Sequence, residues 1–450
     1  MQLPYAVRAV MERLTSAGFT CHIVGGCVRD SLLGLTPHDW DLTTNALPEQ
    51  TAALFTDRTV IPTGMKHGTV TVLEGGMPLE ITTYRTDGVY HDHRRPDSVA
   101  FVTDIVEDLR RRDFTVNAMA WNPQDGLCDP FGGQADLNDR VLRCVGKARE
   151  RFDEDALRIL RALRFAATYG FSIENETADA LFYQAPLLAQ VAAERVRAEL
   201  DRLLTGEFVG DVLRKFHGVL YPILPELRAM AGFEQHSHYH DKDVLMHTIA
   251  AVEAASQNVA VRLALLLHDS GKPLRFTRDE DGTGHFYGHA SVSERIATDV
   301  TRRLRYDRRT QETVSLLVKY HDTPIADTDA AVRRWLNRLG EERLRLLWEV
   351  QEGDSRAHAE WVVPSRVKAL NALRERMDRI VAEGQCVSLK TLVIGGDDLK
   401  AAGIPAGKPM GACLRHLLDE VLSGNLPNER GILLAKGLDY FAENRYNKMM

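Results

Sequence analysis

The chain has 450 residues and a formal charge of −7, with 44% hydrophobic and 26% charged residues. This composition is typical of a globular protein of about two to four domains. It excludes a strongly basic nucleic-acid coat, although a local arginine surface can still bind RNA. The six cysteines form no C-x-x-C pair, which indicates reduced thiols in a cytoplasmic protein. Because the N-terminus is amphipathic and no apolar run could span a bilayer, we expect neither signal peptide nor membrane anchor.

The first predicted elements surround a pair of aspartates. After an amphipathic helix at 4–17, the pattern indicates a short strand, a glycine break, a helix and a second strand at 38–42. Residues two apart on a strand share a face, so Asp39 and Asp41 point the same way while Trp40 points into the core. Two carboxylates on one face suit Mg²⁺, with substrate phosphates completing its coordination. Both aspartates are therefore candidate catalytic residues and magnesium ligands.

A glycine pair and an arginine lie just before these aspartates. Gly25 and Gly26 let the backbone approach a triphosphate closely, and Arg29 can bind phosphate through two hydrogen bonds. Gly26 and Arg29 are thus candidate nucleotide-binding residues. A plain turn beside an acidic strand edge is the alternative, but the combination is more specific than either half. The segment 25–45 resembles the head of the nucleotidyltransferase superfamily, in particular the class II tRNA nucleotidyltransferases, which are CCA-adding enzymes and bacterial poly(A) polymerases.

Further candidates follow in the same half of the chain. Alternating β-branched residues around the glycines at 75–76 predict a hairpin, on which Glu80 is a candidate third carboxylate or a surface residue. The polar segment 86–97 predicts a loop beside the active site. The sequence RRDFTVNA at 111–118 resembles the second motif of the family. This resemblance implies that Arg112 helps to bind the triphosphate, with a solvated basic turn as the alternative.

The next segment predicts how a base could be selected without a template. Residues 151–165 form one predicted amphipathic helix, on which Asp155 accepts hydrogen bonds and Arg158 donates them. This pair matches the N4 and N3 atoms of cytosine and the N6 and N1 atoms of adenine. Guanine or uracil would leave both protein groups unpaired, at a cost on the order of 1–3 kcal/mol each. Arg161 and Arg164 follow Arg158 at intervals of three residues and so form a stripe on the same side of the predicted helix, where they could contact ribose, phosphate or a stacked ring. The alternative is a solvated charged face.

Three segments refine the resemblance within the family. EDALR at 154–158 resembles the amino-acid template motif, and AERVRAEL at 193–200 resembles the helix that supports it. Poly(A) polymerases share the template motif. The segment 62–70 resembles the CCA-adding form and lacks the basic and aromatic stretch of poly(A) polymerases. The long loop at 86–97 is similar to that of enzymes that complete the terminal A.

A second group of candidate ligands lies in the helical half of the chain. Adjacent His and Asp residues bind a metal readily when other helices bring further ligands. The candidates are His247, His268, Asp269, His289, His321 and Asp354. Their pattern resembles the HD-domain metal-dependent phosphohydrolases. The resemblance implies a second divalent transition metal and phosphatase or cyclic-phosphodiesterase activity, although some relatives keep only the fold.

These patterns predict an α+β protein in four parts. A nucleotidyltransferase-type mixed-sheet head spans 1–145, an all-helical neck spans 146–230, an HD-type body spans 231–358, and a helical tail that binds RNA spans 359–450. The resemblance implies that the tRNA 3′ end receives C, C and A from CTP and ATP, by a two-Mg²⁺ mechanism that releases pyrophosphate. The alternatives are a poly(A) polymerase or A-adding enzyme, a metal phosphohydrolase, and a tRNA-binding protein with both sites inactive.

Overall fold

The computed structural model describes residues 1–88 and 98–446. The chain forms two compact units, one made of Met1–Arg228 with Arg303–Tyr306 and the other of Ala229–Arg302 with the chain from Asp307 onward. The predicted division into four parts stays a prediction. Most of the predicted loop at 86–97 lies outside the described residues.

A mixed seven-stranded sheet organises the first unit. Its strand order is β3-β4-β5-β2-β1-β8-β9, and small pairs join β6 to β7 and β10 to β11. The strands are β1 (Cys21–Val24), β2 (Asp41–Thr44), β3 (Thr59–Ile61), β4 (Thr69–Glu74), β5 (Met77–Thr83), β6 (Arg85–Asp87), β7 (Val99–Phe101), β8 (Ala120–Asn122), β9 (Gly126–Cys128), β10 (Val141–Leu142) and β11 (Ser172–Ile173). Within the large sheet β2 pairs in parallel with β5, and antiparallel pairing joins the other neighbours. The predicted hairpin around the glycines at 75–76 is confirmed as β4 and β5.

Helices cover the sheet and then take over the chain. They are α1 (Tyr5–Ser16), α2 (Gly26–Leu32), α3 (Pro48–Leu54), α4 (Ile105–Arg110), α5 (Gly133–Asn138), α6 (Ala148–Glu154), α7 (Leu157–Tyr169), α8 (Asn175–Gln184), α9 (Ala193–Leu204), α10 (Val209–Phe216) and α11 (Glu226–Met230). The predicted N-terminal helix is confirmed, since the apolar face of α1 is buried. Trp40 is also buried, as its place in the alternation predicts.

Two predicted elements differ from the structure. The strand expected at 38–42 starts only at Asp41, so Asp39 lies just before β2. The single helix expected over 151–165 is wrong, because the chain turns extended at Asp155, with φ −140° and ψ 104°, and separates α6 from α7. The Asp155 side chain accepts a hydrogen bond from the Leu157 amide. Such a local bond competes with helix continuation and instead satisfies a free donor in the first turn of α7.

The second unit is almost entirely helical. Its helices are α12 (Val244–Ala254), α13 (Val259–Leu267), α14 (His289–Arg303), α15 (Arg308–Tyr320), α16 (Asp329–Leu339), α17 (Glu341–Ala357), α18 (Val363–Ala382), α19 (Gly396–Ala401), α20 (Lys408–Ser423) and α21 (Arg430–Tyr446), and a small pair joins β12 (Thr277–Arg278) to β13 (Gly284–His285). Helix α12 packs against α13 and α17, and α13 also packs against α15. The last helices share a separate apolar core around Leu399 and Leu417. Among the described residues, no helix combines the length and the apolar character needed to cross a membrane.

Candidate active site and metal centre

The aspartate pair lies where β2 begins. Asp39 and Asp41 are both exposed, and the parallel register places Asp41 opposite Glu80 of β5, so these two side chains share a face. The surrounding protein partly desolvates the Asp41 carboxyl and raises its pKa, and the Glu80 and Asp39 charges add to this rise. Three carboxylates that repel one another at an accessible edge are suited to a divalent cation with oxygen ligands.

The glycine pair makes room for an arginine beside these carboxylates. Gly25 has φ +77°, and a Cβ there would lie 2.9 Å from Arg112 Nη1. A side chain at this position would therefore displace Arg112 as well as strain the backbone. The charge of Arg112 acts on Asp41, since it lowers the pKa of that carboxyl against the effects of burial. Gly26 is the first residue of α2.

Arg112 keeps donors available at this position. Its Nη2 lies 3.4 Å from the Asp108 carboxylate, which the neighbouring Arg111 binds more closely at 2.7 Å. The Arg112 Nε atom is buried and finds no hydrogen-bond partner in the part of the chain that the structure describes. An arginine whose donors are incompletely used, next to a carboxylate pair, is well placed for a phosphate ligand.

Arg29 is placed differently from the expectation for a free phosphate ligand. Its guanidinium is buried and donates to Asp30, to Asn117 Oδ1 at 2.6 Å and to the Tyr169 hydroxyl at 2.7 Å. It also lies over the rings of Phe165 and Tyr169. These contacts tie α2 to α7, and they occupy four of the five N–H donors that an arginine has.

Asp155 and Arg158, the predicted base-selecting pair, both have protein partners. Arg195 of α9 holds the second carboxylate oxygen of Asp155 at 2.8 Å. Arg158 donates to the Glu154 carboxylate at 2.6 Å and to the backbone carbonyls of Arg151 and Arg111. These bonds use three of its five donors, so within the part of the chain that the structure describes Nε and one Nη2 hydrogen have no partner.

The remaining two arginines of the predicted stripe have buried acidic partners. Arg161 donates to Asp113 Oδ2 at 2.8 Å, and Arg164 lies 3.2 Å from the Glu199 carboxylate and over the Phe165 ring. The charges of Arg161 and Arg158 outweigh burial and hold the pKa of Asp113 well below its usual range. Asp113 is thus a structural partner that the sequence analysis did not single out, although it lies within RRDFTVNA.

Asn117 completes a chain of hydrogen bonds from α2 to α7. It accepts from Arg29 and donates to Asp113 Oδ1 at 3.2 Å, and Asp113 in turn accepts from Arg161. Arg29 and Arg161 are therefore connected through Asn117 and Asp113, two residues of one motif. Spacing along the chain could not reveal this link, because it requires the fold to bring residues 29, 117 and 161 together.

The second unit brings its predicted ligands into one buried cluster. They come from α12, the end of α13, the start of α14, the end of α15 and α17. His247 Nε2 lies 2.9 Å from Asp354 Oδ1, and His268 Nε2 lies 3.2 Å from Asp269 and 3.4 Å from Asp354. On the other side, His289 Nε2 lies 3.4 Å and His321 Nε2 3.7 Å from Asp269 Oδ1.

Backbone carbonyls orient all four histidines of this cluster. The Nδ1 atoms of His247, His268, His289 and His321 lie within 3.3 Å of the carbonyl oxygens of Ala357, Leu265, Phe286 and Val318 respectively. A carbonyl oxygen only accepts, so each Nδ1 must carry a hydrogen, and each Nε2 is the ring atom left to donate to a carboxylate when protonated or to bind a metal when neutral. This is the orientation that imidazole ligands adopt at metal sites.

The charges of the cluster fit a divalent cation. Burial opposes ionisation of Asp269, but the His268 and Lys272 charges hold the pKa of its carboxyl well below the usual range. The Asp269 and Asp354 carboxylates likewise outweigh burial at His268 and raise its pKa to about 10. His268 Nε2 is buried and forms no hydrogen bond with any residue in the ranges that the structure describes. Two ionised carboxylates, with imidazole nitrogens turned toward them, form a mixed N/O donor set for a transition metal.

Three residues around this cluster were missed by the sequence analysis. Lys272 forms an ion pair with Asp269 at 2.7 Å, three residues further along the chain. His358 Nδ1 donates to the Asp354 carbonyl, and Arg366 donates to His358 Nε2 at 3.1 Å. The H-D-x-x-K spacing was a usable signal for Lys272. No spacing pattern indicated His358 or Arg366, which only the packing of α17 and α18 brings to the cluster.

Comparisons with known proteins define the class and then the family. Residues 21–143 match the family model "Poly A polymerase head domain", residues 170–230 match "Probable RNA and SrmB-binding site of polymerase A", and residues 276–436 match the model for tRNA nucleotidyltransferase domain 2. With the mixed sheet and its carboxylate pair, these matches define a nucleotidyltransferase.

Individual relatives and a solved structure narrow the class to a family. The chain is 31% identical over 438 residues to the CCA-adding enzyme of Levilactobacillus brevis, which covers 96% of this chain and 97% of the relative. It is 52% identical over 195 residues to the CCA-adding enzyme of Streptococcus thermophilus, covering 43% of this chain and 48% of the relative. In this match and in others that cover less than half of the chain, the chain spans about half the length of the curated relatives. A crystal structure of the Bacillus stearothermophilus CCA-adding enzyme with CTP has a TM-score of 0.74 and 28% identity, covering 99% of this chain and 100% of that one. The chain belongs to the family of CCA-adding enzymes, the class II tRNA nucleotidyltransferases.

Proposed function

We propose that the protein adds C, C and A to the 3′ end of tRNA from CTP and ATP. The observation that carries the proposal is the cluster of three carboxylates, from Asp39, Asp41 and Glu80, with Arg112 beside it. Asp155 and Arg158 lie in the same compact unit. The relatives named as CCA-adding enzymes and the similar structure in complex with CTP support it. The six free cysteines agree with a cytoplasmic location.

The chemistry is an in-line displacement at the α-phosphorus of the nucleotide. The tRNA 3′-hydroxyl oxygen bonds to phosphorus, and the bond to the pyrophosphate oxygen breaks. Asp39 and Asp41 would hold Mg²⁺. The bound ion would neutralise part of the negative charge that develops on the transferred phosphate. Arg112 adds hydrogen bonds and positive charge to the triphosphate from above the glycine turn.

Asp155 and Arg158 select the base while keeping their protein partners. Each carboxylate oxygen of Asp155 has a second lone pair beyond the bond it already accepts, so it can receive the amino group of cytosine or adenine. Arg158 retains two unused donors for the neighbouring ring nitrogen. Arg195 and the Leu157 amide fix the Asp155 carboxylate in one orientation, and this rigidity favours discrimination between bases.

Addition to a defined tRNA tests this function. A transcript that lacks its last three nucleotides is incubated with CTP alone, with ATP alone and with both. We expect extension by two nucleotides with CTP and by three with both. A long homopolymer with ATP alone would instead identify a poly(A) polymerase.

The geometry of the second unit supports a second function. We infer that the histidine and aspartate cluster binds a divalent transition metal and hydrolyses phosphoesters. The metal would supply Lewis-acid activation of the phosphate when bound. The carboxylates of Asp269 and Asp354 would hold it together with the Nε2 atoms that the backbone carbonyls orient.

Metal analysis tests this inference without any activity assay. Untagged protein is equilibrated with Zn²⁺, Mn²⁺ or Co²⁺, and the bound metal is measured after removal of the excess. We expect stable binding of at least one of these metals by the wild type and by His416→Ala, a histidine outside the cluster. Asp354→Ala should lose it. Equal metal content in Asp354→Ala and the wild type would contradict the assignment.

A further inference from the structure

The cluster of the second unit opens onto two cavities. One has a volume of about 340 Å³ and is lined by aromatic side chains that include Tyr239 and Tyr287. The other has a volume of about 300 Å³ and is lined by apolar side chains that include Ile325 and Leu370. A ligand group bound at the cluster could therefore extend in two directions.

The same four residues line both cavities. They are His321, Asp322, Asp354 and Arg366. Two of these residues, His321 and Asp354, belong to the set of candidate metal ligands. A phosphate at the cluster would thus lie where the two cavities adjoin, next to the one positively charged side chain among the four.

Arg366 is held in place by a neutral partner. His358 Nδ1 donates to the Asp354 carbonyl, so its Nε2 accepts from Arg366 Nη1 at 3.1 Å. Within residues 1–88 and 98–446, no carboxylate forms an ion pair with Arg366. Its positive charge is therefore not neutralised, and its remaining donors are free for an anion. Lys272 differs in this respect, because Asp269 already neutralises it.

The two cavities differ in chemical character. Tyr239 and Tyr287 are 51% and 77% exposed, and such exposed rings beside a phosphate position suit stacking of a nucleic-acid base. The second cavity has an apolar wall with the polar side chains of Gln351 and Ser355, which suits a second sugar or nucleoside. A phosphomonoester would fill one cavity only. A 2′,3′-cyclic phosphate would also do so, because its two ester oxygens belong to one ribose.

We propose that Arg366 binds the phosphate of an acyclic nucleoside phosphodiester, whose two ester groups occupy the two cavities. This substrate assignment rests on the phosphohydrolase function inferred above for the same cluster. In the reaction, the oxygen of a water molecule bonds to phosphorus and one P–O ester bond breaks. One hydrogen of the water remains on the phosphate or passes to solvent, and the other ends on the departing nucleoside oxygen.

Equilibrium binding tests the role of Arg366 without turnover. The ligand is a dinucleoside phosphorothioate, which keeps the diester charge and resists hydrolysis, titrated calorimetrically into the full-length, metal-equilibrated protein. We expect Arg366→Gln to raise Kd by about 10-fold to 100-fold, as for a lost bond to a charged group. Lys368→Gln, an exposed cation on the same helix, serves as the matched control and should leave Kd unchanged. Equal Kd values for the wild type and Arg366→Gln would overturn the assignment.

Hydrolysis rates separate this assignment from the function on which it rests. The substrates are a dinucleoside monophosphate, 3′-AMP and 2′,3′-cyclic AMP, each compared by kcat/KM. Preference for the dinucleoside, with a raised KM in Arg366→Gln, is the expected result. Preference for 3′-AMP or the cyclic ester would overturn the diester assignment and leave the phosphohydrolase function standing. If the protein neither binds metal nor hydrolyses any of the three esters, the diester assignment and the phosphohydrolase function are both overturned.

Discussion

Individual arginines show how partners decide the role of a residue. The sequence analysis predicted that Arg29 and Arg112 both bind phosphate. In the structure Arg29 is buried and bonded to Asp30, Asn117 and Tyr169, whereas Arg112 keeps unused donors beside Asp41. The sequence could supply the residue type and its motif. It could not supply Tyr169, a partner 140 residues away that appears only when α7 packs on α2.

Asp155 gives a prediction at the scale of a single side chain. Asp155→Asn can keep the bond from the Leu157 amide, yet its side-chain amide replaces an acceptor by a donor. The variant should therefore discriminate less between CTP and UTP, by about 5-fold to 100-fold, which corresponds to the cost of one unpaired polar group. Single-nucleotide incorporation of CTP and of UTP measures this ratio.

The control for this prediction is Asp139→Asn, an exposed aspartate of the same unit. It should leave the ratio unchanged. If Asp155→Asn rejects UTP as strongly as the wild type does, the base-selecting role of Asp155 is contradicted.

At the scale of elements, periodicity predicted what each segment forms but not where local bonds interrupt it. Helix α1 and the hairpin of β4 and β5 follow directly from their apolar patterns. The break between α6 and α7 does not, because there the Asp155 side chain accepts a hydrogen bond from the Leu157 amide. The cluster of the second unit illustrates the same limit. Its ligand types were readable from the sequence, whereas the four carbonyls that orient the histidines belong to the last turns of α13, α15 and α17 and to the segment before α14. The RNA contact of the tail stays a prediction.

The ion pair of Asp113 with Arg161 of α7 gives a prediction about stability and pH. The pKa of Asp113 is lowered in the folded state, so the bond stabilises the fold above the unfolded pKa of about 3.9 and this contribution is lost as the pH falls through lower values. Asp113→Asn leaves Arg161 without its partner and should cost about 3 kcal/mol at pH 7. The difference from the wild type should shrink progressively below about pH 4.

Denaturant unfolding at pH 7, 5, 4 and 3 measures this dependence, with the surface variant Asp139→Asn as control. The control should differ from the wild type by less than about 0.5 kcal/mol at every pH. A difference between Asp113→Asn and the wild type that stays constant from pH 7 to pH 3 would show that folding does not lower the pKa of Asp113, contrary to the prediction.

For the whole molecule, the division into two compact units assigns each proposed chemistry to a different part of the chain. The carboxylates of Asp39 and Asp41 lie in the first unit, and the cluster that contains Asp354 lies in the second. Composition and length predicted several domains, and the motifs assigned a chemistry to each half. The sequence analysis ended the helical neck at 230 and began the next part at 231, and the boundary between the two units follows Arg228.

This division predicts that the two activities can be removed separately in the full chain. Asp354→Ala should lose phosphoester hydrolysis and metal binding while it still extends tRNA, and Asp39→Asn should show the reverse. Both assays are run on the same preparations. Loss of both activities in either variant, with the fold retained by circular dichroism, would contradict the separation.

The rate of CMP transfer to tRNA in a single turnover measures what the carboxylates of Asp39 and Asp41 contribute to the reaction. It is measured for the wild type, Asp39→Asn, Asp41→Asn and the control Asp139→Asn at saturating CTP and Mg²⁺. If both carboxylates act at the reacting centre as proposed, Asp39→Asn and Asp41→Asn should each lose about 1,000-fold or more in rate, while Asp139→Asn matches the wild type. Transfer by Asp39→Asn and Asp41→Asn within a few-fold of the wild-type rate would show that these two carboxylates do not hold the reacting centre.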